Sequence, residues 1–121
     1  MQALADGKDG QLRAYLLDEI SSSDMEKARG YLQQHAQASA VQDLFWLELP
    51  EALLRGIHLQ HVECRPYCVA IELGAHFVRF ELLVRSRNNH RCGCSKYAEP
   101  HQREFVIRFA EELIQELSIR T

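Results

Sequence analysis

Between Tyr67 and Arg85 apolar and polar side chains alternate through VAIEL and HFVRFELLVRS, broken once at Gly74-Ala75. Alternation at period two means a strand with one buried face, and two such runs around a short glycine-containing break mean an antiparallel hairpin. A two-residue loop at Gly74-Ala75 predicts Ile71 opposite Val78, Val69 opposite Phe80 and Tyr67 opposite Leu82. One apolar face results, extended by Val84, while Glu72, Arg79, Glu81 and Arg85 share the other. Asn88-Asn89 supplies a second tight turn, because asparagine tolerates the left-handed backbone such loops demand. The expectation is a three-stranded antiparallel meander that ends near Tyr97.

An apolar sheet face needs cover. The last segment, PHQREFVIRFAEELIQELSIR, has Phe105, Phe109, Leu113 and Leu117 at helical spacing, with Val106, Ala110 and Ile114 beside them. A helix of about five turns over the sheet meets the requirement. Upstream, Leu12, Tyr15, Leu16 and Ile20 also recur at helical spacing behind Asp9 as N-cap. Ser23 with Glu26 forms a capping-box pattern ahead of Met25, Ala28, Leu32 and Ala36. These two segments predict a helical hairpin, with His35 at its surface. DLFWLELP reads as a short strand with Trp46 as a core anchor, and PEALLRG as a helical turn ended by Gly56. The fold class expected is therefore α+β in one domain over residues 1–121. It comprises an N-terminal helical hairpin, an antiparallel three- to four-stranded sheet and a long C-terminal helix packed on one sheet face.

Composition supports a compact protein of this class. The chain has 121 residues, 46% hydrophobic and 26% charged, which is ordinary for a globular domain and leaves room for a core without staples. No basic start precedes an apolar stretch, and no apolar run approaches the ~20 residues that span a bilayer, so a cytoplasmic location without membrane insertion is expected. The net charge of -3 is uneven: residues 64–103 carry seven bases against three acids, and the acids dominate elsewhere. That basic excess coincides with the cysteines and suits a protein or anionic ligand. No basic helix or aromatic-rich RNA-binding signature accompanies it, so nucleic acid is not the expected partner.

Four cysteines in a cytosolic chain mean reduced thiols, metal ligands or redox groups. They fall in two pairs, Cys64 with Cys68 in CRPYC and Cys92 with Cys94 in CGC. A two-residue loop at Asn88-Asn89 places Arg85 opposite Cys92, Leu83 opposite Cys94 and Glu81 opposite Lys96. The same rule sets Cys64 opposite Arg85 and Cys68 opposite Glu81, so all four thiols share the outer face. Regular strands would hold the pairs ~10 Å apart, too far for one zinc. Pro66 interrupts the ladder and Gly93 frees the second pair, which allows CRPYC to fold over CGC.

Ordinary reduced thiols lead this reading, a metal site follows, and a redox role comes third. If a metal is held, the expected ligands are Cys64, Cys68, Cys92 and Cys94, with zinc favoured by the soft donor set. His58 and His61 stand ready to supplement or replace a ligand, and His90 adjoins Cys92. His76 and His101 read as surface residues. Phosphate-binding loops, H-E-x-x-H and G-x-S-x-G are all missing from the sequence, and no catalytic constellation is expected. A small binding or adaptor protein with a structural metal is the resulting expectation, a homodimer through a sheet edge or DLFWLELP its expected assembly, and a thiol redox protein the alternative.

Overall fold

The computed structural model describes residues 2–6, 12–89 and 91–121. In chain order the elements are β1 (Gln2–Asp6), β2 (Leu12–Leu17), α1 (Ser22–His35), β3 (Gln37–Ala38) and β4 (Leu44–Glu48). After them come α2 (Ile57–Gln60), β5 (Tyr67–Leu73), β6 (Val78–Glu81), β7 (Leu83–Ser86), β8 (Lys96–Tyr97) and α3 (Pro100–Leu117). Single 3-10 turns at Glu51–Leu53 and Val62–Cys64 flank α2. The class is mixed, with an antiparallel sheet and a long C-terminal helix, but the sheet exceeds the three to four strands expected. Its order is β1-β2-β6-β5-β4-β3, with β7 continuing beside β5 and β8 pairing with β7.

The central hairpin keeps the expected faces and changes the expected register. Ile71 pairs with Phe80, Glu72 with Arg79 and Leu73 with Val78, two residues away from a Gly74-Ala75 loop. The two-residue loop sits one residue later, at Ala75-His76, closed by the Gly74 N–H donating to the Phe77 carbonyl at 2.9 Å. The Phe77 ring comes within 2.0 Å of where a Gly74 Cβ would stand, so any other residue there would have to displace that ring. A shift of two leaves every side chain on its face. Tyr67, Val69, Ile71, Val78, Phe80, Leu82 and Val84 are accordingly all buried, while Arg79 and Glu81 lie on the other side with Glu72 and Arg85. At Leu82 the strand leaves β5, its N–H bonding the Arg13 carbonyl and its own carbonyl accepting from Ala98, before β7 resumes with Cys68 opposite Arg85.

The first expected helix is a strand. Leu12–Leu17 pairs with β6 through Tyr15 opposite Phe80 and Leu17 opposite Val78, and β1 pairs along its other edge. Tyr15 and Leu17 are buried and Leu16 only partly so, which satisfies period two as well as the helical spacing did. The unpaired backbone of β6 decides between them, since a strand there satisfies donors and acceptors that a helix would leave open. Asp9, the expected N-cap, lies outside the described residues.

Helix α1 starts at Ser21 rather than Ser23: the Ser21 Oγ accepts from the Asp24 N–H at 3.1 Å, an N-cap one turn ahead of the core stripe. Met25, Ala28 and Leu32 are buried as expected, and Tyr31 joins them. Helix α3 opens with Pro100 and a capping box between Glu99 and Gln102. Its buried line is Gln102, Val106, Ala110 and Leu113, with Phe105 and Phe109 flanking it. Phe109 meets both Phe80 and Tyr31 edge-on, at 6.3 and 5.9 Å, so α1 and α3 share the apolar face of the sheet. Trp46 is not in this core. Phe45 and Leu47 point into it, which sends Trp46 to the outer face beneath the Arg87 guanidinium, 4.5 Å from the ring centre. Gly56 does not end a helix but precedes α2, with φ 54.

Candidate metal centre

Two irregular segments converge at one end of the sheet. Residues 54–66 run through α2 and the 3-10 turn into β5, and residues 87–95 connect β7 to β8. Ser86 binds them together: its Oγ donates to the Cys64 carbonyl and accepts from the N–H groups of Asn88 and Asn89. The Asn88 side-chain amide adds a bond to the Glu63 carbonyl at 2.9 Å.

Local backbone geometry then presents the donors. The Cys64 N–H bonds the His61 carbonyl at 3.0 Å, closing a 3-10 turn, and residues three apart in such a turn stand on the same side. His61 and Cys64 therefore face one point. From the other segment, Gly93 separates Cys92 and Cys94 in a backbone with open space around it. The His61 Nδ1 lies 3.1 Å from the Cys92 Sγ. One ligand atom from each of His61, Cys64, Cys92 and Cys94 falls within 4.8 Å of all the others. Cys64 and Cys94 are each 1% exposed, whereas His61 and Cys92 are partly open to solvent.

The outer-face register expected for the thiols is not what forms. β7 and β8 pair Leu83 with Tyr97 and Val84 with Lys96, three positions from expectation, and Cys92 and Cys94 precede β8 in turns. Cys64 also leaves the ladder, ahead of Pro66. Of the expected ligands Cys64, Cys68, Cys92 and Cys94, the structure brings together the first, third and fourth, and His61 completes the group. Cys68 is inside β5, one residue after Tyr67, and alternation sends it to the opposite face, beside Glu48 and Arg85. Of His58 and His61, both expected to supplement or replace a ligand, His61 joins the group and His58 does not; the signal for His61 is the H-x2-C spacing, which a 3-10 turn converts into convergence.

The thiols share protons. Hydrogen bonds to Cys94 and Cys64, with some burial, push the Cys92 thiol up to about 12. Burial opposes a thiolate at Cys94, but the Tyr67 hydroxyl and the Cys92 and Cys64 thiols donate to it, and the net direction is down. Cys68 stands apart, with burial and then Glu48 pushing its thiol up to about 11. All four cysteines are free.

Around the cluster, His58 and Tyr67 are 1% exposed and pack ring against ring at 4.5 Å. Of the remaining histidines, His76 bonds the Ile20 carbonyl and His101 the Leu53 carbonyl, which makes both structural. His90 lies outside the described residues. Arg85 is held by Glu81 at 2.8 Å and Arg65 by Glu51 at 3.4 Å, so neither turns its charge to the thiols alone. Among the described residues no helix is long and apolar enough to cross a membrane. Comparison of the chain with protein-family models, curated proteins and solved structures finds no match, and function is argued from these residues themselves.

Proposed function

We propose that His61, Cys64, Cys92 and Cys94 hold one zinc ion as a structural site in a small cytoplasmic binding or adaptor protein. One observation carries this reading: four donor atoms from two loops within 4.8 Å of one another. Tetrahedral zinc with Zn–S bonds of ~2.3 Å places its ligand atoms about 3.7 Å apart, so a small contraction completes the shell. Three sulfurs and one imidazole select zinc over the hard cations, and four protein ligands leave no open coordination position for catalysis. The ion's role is to fasten residues 54–66 to 87–95, which have little regular structure of their own.

The sheet face without helices is the surface for a protein or anionic partner. Leu44, Trp46 and Ala70 form its apolar floor, with Glu72, Arg79, Glu81 and Arg85 around them. β4 lies between β5 and the short β3, which pairs only with Phe45 and Trp46 of DLFWLELP, and a homodimer would use the open face or the remainder of that edge.

The test is metal analysis of protein purified without an affinity tag, with variants. One zinc per chain is expected, retained by Cys68→Ser and lost by Cys64→Ser and His61→Ala. Metal-free protein, or zinc retained by His61→Ala and lost by Cys68→Ser, refutes the ligand set. The alternative of a thiol redox protein draws on the thiolate-favouring environment of Cys94; it requires metal-free protein with a disulfide that forms and reduces reversibly within the cluster.

A further inference from the structure

Metal ligands are positioned by the groups that bond them from behind, and at this site those groups are unevenly distributed. The Tyr67 hydroxyl lies 3.5 Å from the Cys94 Sγ and 3.2 Å from the His61 carbonyl, reaching a ligand residue on each of the two loops. His58 adds a second bond to Cys94, its Nε2 standing 2.9 Å from the Cys94 carbonyl. A carbonyl only accepts, so Nε2 carries the proton and the ring is held in one tautomer. Among the described residues the buried His58 Nδ1 has no hydrogen-bond partner, so the bond to the Cys94 carbonyl is the one that orients the ring. Among the described residues no non-ligand side chain bonds Cys92 from behind: its side-chain partners are His61, Cys64 and Cys94, themselves ligands, and it is partly exposed.

Resting on the zinc reading above, we infer that Tyr67 is a positioning residue that makes Cys94 the anchored ligand of the site and leaves Cys92 as the ligand through which the site opens. Its hydroxyl has one proton for two acceptors, and with zinc bound that proton goes to the negatively charged Cys94 sulfur rather than to the neutral His61 carbonyl, spreading the sulfur's charge and fixing its direction. Among the thiols an attacking electrophile meets Cys92 first, because Cys64 and Cys94 are each 1% exposed.

Tyr67→Phe removes the hydroxyl and keeps the ring packed on His58. The experiment measures zinc affinity by competition with a chromophoric chelator and records the cobalt(II)-substituted spectrum of wild type and variant. Loss of one such supporting bond weakens metal binding by ~10- to 100-fold. The sulfur-to-cobalt charge-transfer band should shift as well, a signature that looser packing alone would not produce. Timed alkylation of the zinc-loaded wild type with iodoacetamide, read by peptide mass spectrometry, should modify Cys92 before Cys64 and Cys94, and this arm does not depend on the variant folding. Unchanged affinity and spectrum in Tyr67→Phe, or Cys94 alkylated first, overturns this inference while leaving the zinc site standing. Wild-type protein that binds neither zinc nor cobalt overturns both.

Discussion

Removing zinc should soften one end of this protein without unfolding the rest, and the size of the effect follows from where the ligands sit in the chain. Cys64 and Cys92 belong to segments joined by the whole of β5, β6 and β7, so a metal bridging them closes a loop of about 29 residues. Treated as a cross-link on the unfolded chain, closure of such a loop contributes about 3–4 kcal/mol. For a chain of 121 residues the unfolding entropy converts this to a fall in Tm of roughly 10–15 °C. Cys64 and Cys94 join the edge of the core, while most of it, including Phe80, Ile71, Val106 and Leu113, is fully buried among apolar neighbours of the sheet and α3. The chelated protein should therefore keep its helical circular dichroism at room temperature. Amide exchange should rise in α2, the 3-10 turn at Val62–Cys64 and β8, and stay slow in β5 and α3.

The assay is differential scanning calorimetry of the zinc-loaded protein before and after chelator, with Cys64→Ser as a control that should melt low in both. A Tm lowered by less than about 3 °C, with one zinc demonstrably bound beforehand, would show that the loops are held without the ion and sink the cross-link reasoning. Complete loss of helical signal on chelation would sink it from the other side, since the core could then not stand alone.

Two further outcomes test the sheet. Phe80→Ala should cost about 3–5 kcal/mol in urea unfolding, because the ring is fully buried against Phe109, whereas its neighbour Arg79→Ala on the outer face should cost under about 1 kcal/mol; comparable costs would mean the faces are misassigned. Cys68 makes stability fall at high pH: its folded-state thiol is raised from 9.0 to about 11 by burial and then Glu48, so above pH 9 the unfolded chain releases a proton that the native state retains. The contribution is intact below pH 9 and is lost on the way to pH 11, and Cys68→Ala should flatten urea stability across that window relative to wild type.

How much of this was legible in the sequence depended on whether a local pattern had a competitor. Helix α3 had none: its length, its apolar stripe and Pro100 at the start agree with one another. The faces of β5 and β6 are legible although their register is not, because the two-residue turn sits one residue later, at Ala75-His76, which shifts the pairing by two, and a shift of two preserves parity. LRAYLL had a competitor, satisfying both periods, and the choice fell to the open edge of β6, which no window of local sequence contains. Trp46 was misplaced for a related reason. Its apolarity suggested the core, but alternation with Phe45 and Leu47 had already assigned it to the outer face.

The candidate site follows the same logic at the point where the strand begins. Regular strands keep neighbouring residues on opposite faces, so Tyr67 and Cys68 cannot serve the same cluster once both are in β5. Tyr67 points to the buried side, where its hydroxyl meets Cys94, and Cys68 is thereby directed to Glu48 and Arg85 on the other side. Cys64 escapes this constraint only because the chain ahead of Pro66 is a 3-10 turn, whose three-residue repeat brings His61 alongside it. Counting thiols favoured four cysteines as ligands; counting backbone periods favours three cysteines and the histidine. The deciding step is the position of the boundary between turn and strand, which leaves His61 and Cys64 in the turn and places Cys68 inside β5.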